Sequence, residues 1–310
     1  MASFCLLMMT PMYPIQKHAR SEFVPIRHLQ YHVRQWGQPS PDKTPLVMVH
    51  GWMDVSASFQ FVIDHLQQDH WVIAPDWRGF GLTETPQSDN YWFPDYLADL
   101  DFLLDHYVGE RAVNLVGHSM GGHVATLYAG VRPERVRRLI NLEGFGMPTS
   151  RPAQAPGRYA KWMDELKSLH RGEQDLKPYT DVQAVAERLM KTNPRLPADK
   201  AQWLATHWAR PNDHGEWRIL GHAAHKVINA QLFRLEEVSA VYERISAPTL
   251  CVVAQEDSLN QWWKGKYTLE EFKQRMAVVP HLEYAVMADA GHMLHHDQPE
   301  QLAALIEKFL

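Results

Sequence analysis

Cysteine is nearly missing from this chain: Cys5 and Cys251 are the only two among 310 residues. Two thiols cannot build a disulfide framework, so a reducing compartment is the simpler setting. Long apolar runs are missing too, and none approaches the ~20 residues needed to cross a bilayer. The stretch Phe4–Met9 is too short for a secretory leader and has no basic residue ahead of it. A cytoplasmic protein without a membrane span is therefore expected. Basic clusters are absent as well: Lys and Arg total 31 against 36 Asp and Glu, for a formal net charge of −5. That balance leaves no electrostatic footprint for nucleic acid. Internal repeats and low-complexity blocks are also lacking, which sets solenoids and linkers aside. What remains is an ordinary globular composition, 45% hydrophobic and 22% charged. The length suits one large domain, or a core domain carrying an inserted smaller one.

The pattern along the chain changes character four times. Residues 1–21 are expected to form a loosely ordered N-terminal segment. From Ile26 to Trp36, Leu29, Tyr31 and Val33 alternate with polar residues, the period of antiparallel strands with one wet face. Next come short aliphatic runs at 45–50, 71–76, 112–118 and 136–144, the signature of strands buried on both faces. Helix-like stretches separate them at Ser58–Gln68, Pro94–Tyr107 and Met120–Val131, with Pro94 suited to a first helical turn. This alternation predicts an α/β fold with a mostly parallel central sheet and helices on both faces. The pattern resumes with strand-like runs at 247–255 and 282–287 and a closing helix from about Pro299 to Leu310. Between Met147 and Ser239 the chain is helical in pattern and broken by prolines, without a strand-like run. It carries Trp162, Trp203, Trp208 and Trp217. A crossover of that length is unusual, so residues 147–239 are expected to form a helical cap, with 22–146 and 240–310 as the core.

Chemistry concentrates at the turn Gly117-His118-Ser119-Met120-Gly121. Glycines flanking a serine between a strand and a helix permit a tight turn that lifts the hydroxyl above the sheet. The helix that follows points amide donors at a developing oxyanion. Serine needs a base, and eighteen histidines make counting useless. Position discriminates: His292 follows the last strand-like run, on the loop before the closing helix. His295 and His296 lie inside or next to that helix and compete less well. For the group that holds the base, Asp257 follows the 247–255 strand and is expected there, with Glu143 as its rival. The backbone N–H groups of Trp52 and Met120 are expected to hold the oxyanion, each worth on the order of 3–4 kcal/mol of barrier. A pocket is expected from Trp52, His118, Trp162, Trp208 and Trp262, with apolar surface for an acyl or alcohol group.

Two other patterns carry less. Asp76-Trp77-Arg78-Gly79-Phe80-Gly81 lacks the lysine of a phosphate-binding loop and reads as a structural loop pinned by Asp76 or Arg78. His292, His295 and His296 lack the glutamate of a His-Glu-x-x-His helix and any nearby cysteine, so no metal or other cofactor is expected.

With these pieces placed, the chain resembles the α/β-hydrolase fold superfamily. The resemblance rests on His50-Gly51-Trp52, the Asp76–Gly81 loop, Gly117–Gly122, Asp257 and Gly291-His292. Within it the chain looks like the lid-bearing serine hydrolases, including carboxylesterases and pimeloyl-ester hydrolases. The resemblance implies an ester hydrolase acting on a small to medium, partly apolar molecule through an acyl-enzyme on Ser119, with His292 as general base. Thioesterase, amidase, lactonase and non-catalytic receptor readings stay open beside it. Haloalkane dehalogenases and epoxide hydrolases of this fold carry aspartate where this chain has Ser119. Oligomeric state is not legible.

Overall fold

The computed structural model describes residues 12–310. The expectation for residues 1–11 lies outside the described residues. In the order of the chain, the core elements are β1 (Arg20–Ile26), β2 (Leu29–Trp36), β3 (Leu46–Val49), α1 (Gln60–His65), β4 (Val72–Pro75), α2 (Pro94–Val108), β5 (Val113–His118), α3 (Met120–Val131) and β6 (Val136–Leu142). Then come α4 (Ala155–His170), α5 (Val182–Thr192), α6 (Ala198–Trp208), the short strands β7 (Ala209–Pro211) and β8 (Trp217–Ile219), and α7 (Leu235–Tyr242). The chain closes through β9 (Thr249–Ala254), α8 (Ser258–Trp263), α9 (Leu269–Met276), β10 (Leu282–Met287), α10 (Leu294–Asp297) and α11 (Pro299–Phe309).

Eight strands form one sheet in the order β1-β2-β4-β3-β5-β6-β9-β10. β1 and β2 are antiparallel, β2 runs antiparallel to β4, and every pairing beyond β4 is parallel. The strands β3, β4, β5 and β9 are buried at every position, because helices cover both faces of the sheet. Each apolar side chain withdrawn from water this way stabilises the fold by about 1.5–3 kcal/mol before entropy is subtracted. On α2, Tyr96, Leu100, Leu103, Leu104 and Val108 recur at helical spacing and are buried, with Pro94 in the first turn.

Three expectations need correction. Strand β1 begins at Arg20, so the sheet reaches into the segment expected to be loose. Upstream, the Gln16 and Lys17 amides donate to Asp64 Oδ1, and Tyr13 packs edge-on against Phe61. Second, the wet face that the alternation implies on β2 is only partial: Gln30 is exposed and Arg34 half-buried, but His32 is withdrawn from water. His32 is buried, its amide donating to Thr83 Oγ1 and its Nδ1 lying 2.7 Å from Asp76 Oδ2. Its polar atoms are satisfied by hydrogen bonds instead of water. Third, the expected boundary at 239 falls inside α7. That helix belongs with the core, since its Val241 carbonyl lies so close to Gly130 of α3 that a Cβ there would sit 2.0 Å away. The intervening stretch carries α4, α5 and α6, joined by loops, and, against the expectation of no strand, the hairpin of β7 and β8. α5 and α6 share an apolar cluster with Val55, Ala57 and Phe61 of the core.

The Asp76–Gly81 loop is structural, as its residues imply. Asp76 accepts from the Ser56 and Leu82 amides. Arg78 donates from Nε and Nη2 to both oxygens of Asp99, at 2.6 and 2.7 Å, and both side chains are buried. Removing one partner strands the other charge in the core. Asp99→Ala is therefore expected to cost about 3–5 kcal/mol of unfolding free energy. Urea denaturation measures this, and a cost below about 1 kcal/mol, as for an exposed pair, would show that the pair is not structural.

Candidate active site

Ser119 sits between β5 and α3 with φ 54 and ψ −119, in a region that side chains other than glycine rarely adopt. The strained turn is tolerated because the chain has no Cβ at its crossing points. A Cβ on Gly117 would lie 2.3 Å from the Gly121 carbonyl oxygen, and one on Gly121 2.3 Å from that of Val49. The Ser119 amide donates to the Leu142 carbonyl of β6 at 2.8 Å, and the Ser119 carbonyl accepts from His123. The hydroxyl is thus held at the C-terminal end of the parallel strands, at the start of a helix.

His292 lies on the loop between β10 and α10, and its Nε2 is 2.9 Å from Ser119 Oγ. Its Nδ1 lies 3.3 Å from Glu143 Oε2. With Ser119 Oγ–H donating to Nε2, the other nitrogen carries the proton and donates to the carboxylate. Glu143 is fixed in turn: the Ala254 amide of β9 donates to its Oε1 at 2.7 Å, its side chain is buried, and its backbone has φ 55. Serine, imidazole and carboxylate form one hydrogen-bonded chain.

The expectation that Asp257 holds His292 is corrected by this geometry. Asp257 is exposed and caps α8, its Oδ1 accepting from the Asn260 amide at 2.9 Å. Its oxygen serves a helix end three residues beyond β9, while the adjacent Glu256 pairs with Arg195. Glu143 directly follows β6, where Leu142 pairs with His118 of β5. That register sets it beside the serine.

Met120 opens α3, so its amide is among those with no carbonyl partner inside the helix. Trp52 lies in the turn after β3, where a Cβ built on Gly51 would fall 3.0 Å from Ser119 Cβ. That turn therefore lies against the serine. Of the side chains expected in the pocket, Trp262 meets His292 edge-on, with ring centroids 4.1 Å apart. The Trp52 ring is half exposed and donates from Nε1 to the His225 carbonyl. Trp208 donates from Nε1 to Asp54 Oδ1 at 3.3 Å. His118 is buried, and its Nε2 donates to the His292 carbonyl at 2.8 Å. Trp162 lies on α4, which buries none of its residues. Sequence reasoning ranked Glu143 second and passed over Asp54 entirely. A charged residue directly after a buried strand was the available signal for the first.

Burial keeps several imidazoles near this site neutral. Desolvation, aided by His295 and His292, holds His118 well below the usual histidine range. His123, buried on α3 against Phe93 and Phe233, is lowered to about 4 by desolvation and by Arg275. An unfolded chain takes up this proton near pH 6.5, whereas the folded one does so only near 4. Stability is expected to fall as pH drops through that window, by about 1.4 kcal/mol per pH unit for this one group. Below pH 4 its contribution levels off. His123→Gln should flatten the slope of unfolding free energy against pH between 6.5 and 4, and an unchanged slope would refute the assignment.

A hydrogen-bonded serine, histidine and glutamate thus meet at one end of a mostly parallel sheet. A model of the alpha/beta hydrolase fold matches residues 44–299, and the chain belongs to that family. A serine hydrolase-like protein of Danio rerio is 25% identical over 307 residues, covering 95% of this chain and 89% of that one. A cis-3-alkyl-4-alkyloxetan-2-one decarboxylase of Shewanella oneidensis is 24% identical over 272 residues, covering 86% and 81%. Among solved structures, the thioesterase domain from the curacin biosynthetic pathway superposes with a TM-score of 0.80 at 25% identity, covering 94% of this chain and 99% of that one. No helix among the described residues is long and apolar enough to cross a membrane.

Proposed function

We propose that this member of the α/β-hydrolase family is a serine carboxylic ester hydrolase, with Ser119 as nucleophile, His292 as general base and Glu143 as the carboxylate that orients it. The 2.9 Å contact between Ser119 Oγ and His292 Nε2, with Nδ1 facing a buried carboxylate, carries the reading. His292 takes the serine proton as Oγ bonds to the ester carbonyl carbon. The negative charge on the carbonyl oxygen is met by the Trp52 and Met120 amides. Collapse breaks the bond to the alkoxy oxygen, which leaves as alcohol with the proton from His292. Water then repeats the sequence on the acyl-enzyme and releases the acid. Glu143 stabilises the imidazolium formed in each half and keeps its ring in the productive tautomer.

Trp52 and Trp262 flank the serine with aromatic surface, which favours a partly apolar substrate of small to medium size. Residues 147–234 would act as a cap, pinned to the core where Gly81 donates to the Leu220 carbonyl and His222 to that of Gly79. The setting proposed is the cytoplasm, with one buried thiol at Cys251. A thioester reading of the same chain of groups is favoured by the likeness to the thioesterase domain.

Hydrolysis of p-nitrophenyl esters from acetyl to dodecanoyl, run beside acyl-coenzyme A thioesters, tests both readings. Turnover of the oxygen esters with an optimum in acyl length supports the ester reading and sizes the pocket. Preference for the thioesters would move the assignment to thioesterase. If neither is turned over and a fluorophosphonate leaves Ser119 unlabelled, the protein is a receptor built on a hydrolase fold.

A further inference from the structure

Directly behind the serine lies a group of side chains that the proposed reaction does not use. Asp54, on the loop after β3, His118, just before Ser119, and His295, on α10, each present one ligand-type atom, all within 4.8 Å of one another. All three are at least nine-tenths buried, with exposures of 5%, 2% and 0%. Asp54 Oδ2, His118 Nδ1 and both ring nitrogens of His295 have no hydrogen-bond partner among the described residues. Buried polar atoms are ordinarily satisfied, so several unpartnered ones facing one point require an explanation. His295 Nε2 and Asp54 Oδ2 are 3.7 Å apart, within reach of an ion pair if the imidazole is protonated but too far for a good hydrogen bond.

The outer sides of His118 and Asp54 are held as metal ligands usually are, whereas His295 has no such partner among the described residues. His118 donates its Nε2–H to the His292 carbonyl, which leaves Nδ1 as a lone pair aimed at the cluster. Asp54 uses its other oxygen, Oδ1, to accept from the Ser58 hydroxyl and from Trp208 Nε1. An imidazole whose second nitrogen is anchored to a backbone carbonyl, and a carboxylate whose second oxygen is hydrogen-bonded, are the usual outer arrangement of a ligand set. Water could fill the same space, donating to Asp54 Oδ2 and His118 Nδ1 and accepting from an N–H of His295, but only a metal ion would scatter anomalously there.

We propose that Asp54, His118 and His295 form a buried site for a divalent transition-metal ion, of which zinc is the best match. Two imidazoles and one carboxylate suit a borderline ion, whereas calcium and magnesium take oxygen-rich ligand sets. Reaching bonds of about 2.0–2.2 Å requires side-chain shifts on the order of 1 Å. The ion would join three segments that converge on the serine: the loop carrying Trp52, the turn carrying Ser119 and the segment just past His292. It would therefore act as a structural tie and not as a Lewis acid on substrate, because His118 and His295 are closed off from the cleft. This site does not depend on which acyl compound the enzyme hydrolyses.

The test uses the full chain, freed of metal by chelator and then equilibrated with excess Zn²⁺ or Co²⁺. Zinc-edge anomalous scattering from a zinc-loaded crystal is expected to show a peak within about 2.2 Å of Asp54 Oδ2, His118 Nδ1 and one nitrogen of His295. Cobalt is expected to give visible d–d bands that persist in His292→Ala and in the exposed-site control His214→Ala, and vanish in His295→Gln. No anomalous peak at this point under saturating zinc would overturn the proposal, whether or not His295→Gln folds. Cobalt bands lost in His292→Ala but kept in His295→Gln would do the same, by placing the ion at the serine's own base.

Discussion

Ser119→Ala is expected to lower kcat/KM for the best p-nitrophenyl ester by about 10⁴–10⁶-fold while leaving the fold intact. The size follows from the serine's position in the hydrogen-bonded chain. Without Oγ there is no atom to form the acyl-enzyme, and His292 has no proton to accept from the protein. What would survive is the contribution that the proposed oxyanion amides of Trp52 and Met120 make to attack by water. Alanine occupies the strained φ of 54 no more easily than serine does, so stability should not improve from relief of strain. The checks are steady-state kinetics, fluorophosphonate labelling and a thermal melt on the same preparation. A variant retaining activity within tenfold of the parent would remove Ser119 from the mechanism.

The second large effect separates two carboxylates. Glu143→Gln is expected to reduce kcat by about 10⁴-fold, the scale seen when an orienting carboxylate is made an amide. The glutamine carbonyl can still accept from the Ala254 amide that now bonds Glu143 Oε1. Its NH₂ group then faces His292 Nδ1, which must present a lone pair. The proton moves to Nε2, and the ring can no longer accept from Ser119. Asp257→Ala, by contrast, should leave kcat unchanged and cost about 1 kcal/mol of stability, because that side chain caps α8. Measuring both variants against one substrate decides the matter. Loss of activity in Asp257→Ala with little change in Glu143→Gln would reinstate the aspartate.

Why the sequence placed Asp257 ahead of Glu143 is a matter of register. Both follow a buried parallel strand, and composition does not distinguish them. Glu143 comes immediately after Leu142, which pairs with His118 on the neighbouring strand, and the Ser119 amide bonds the Leu142 carbonyl. Asp257 is separated from the end of β9 by Gln255 and Glu256, and the chain uses that distance to start a helix. Strand order and pairing are long-range facts, with no local mark in the residues concerned. The same limit explains the N-terminal segment: nothing near Lys17 announces that Asp64 will receive its amide. The burial of His32 on the expected wet face of β2 was hidden for the same reason, because Asp76 and Thr83 arrive from far along the chain to satisfy it.

Other features were legible because their causes are local. The helix over Met120–Val131 matches the structure to the residue, since the glycine turn at its start and the apolar residues within it are local to that stretch. The turn at Ser119 follows from small residues at fixed offsets, and the antiparallel start followed by parallel strands was readable from a change of period. By itself, then, the sequence determined the α/β-hydrolase architecture, the serine at its strand-to-helix turn and the histidine on the loop after the last strand. The tertiary structure alone decided which carboxylate stands behind that histidine, and that Asp54, His118 and His295 meet in the core. Those are contacts between loops brought together only when the sheet closes its register and the helices pack, and no short stretch of chain contains their cause.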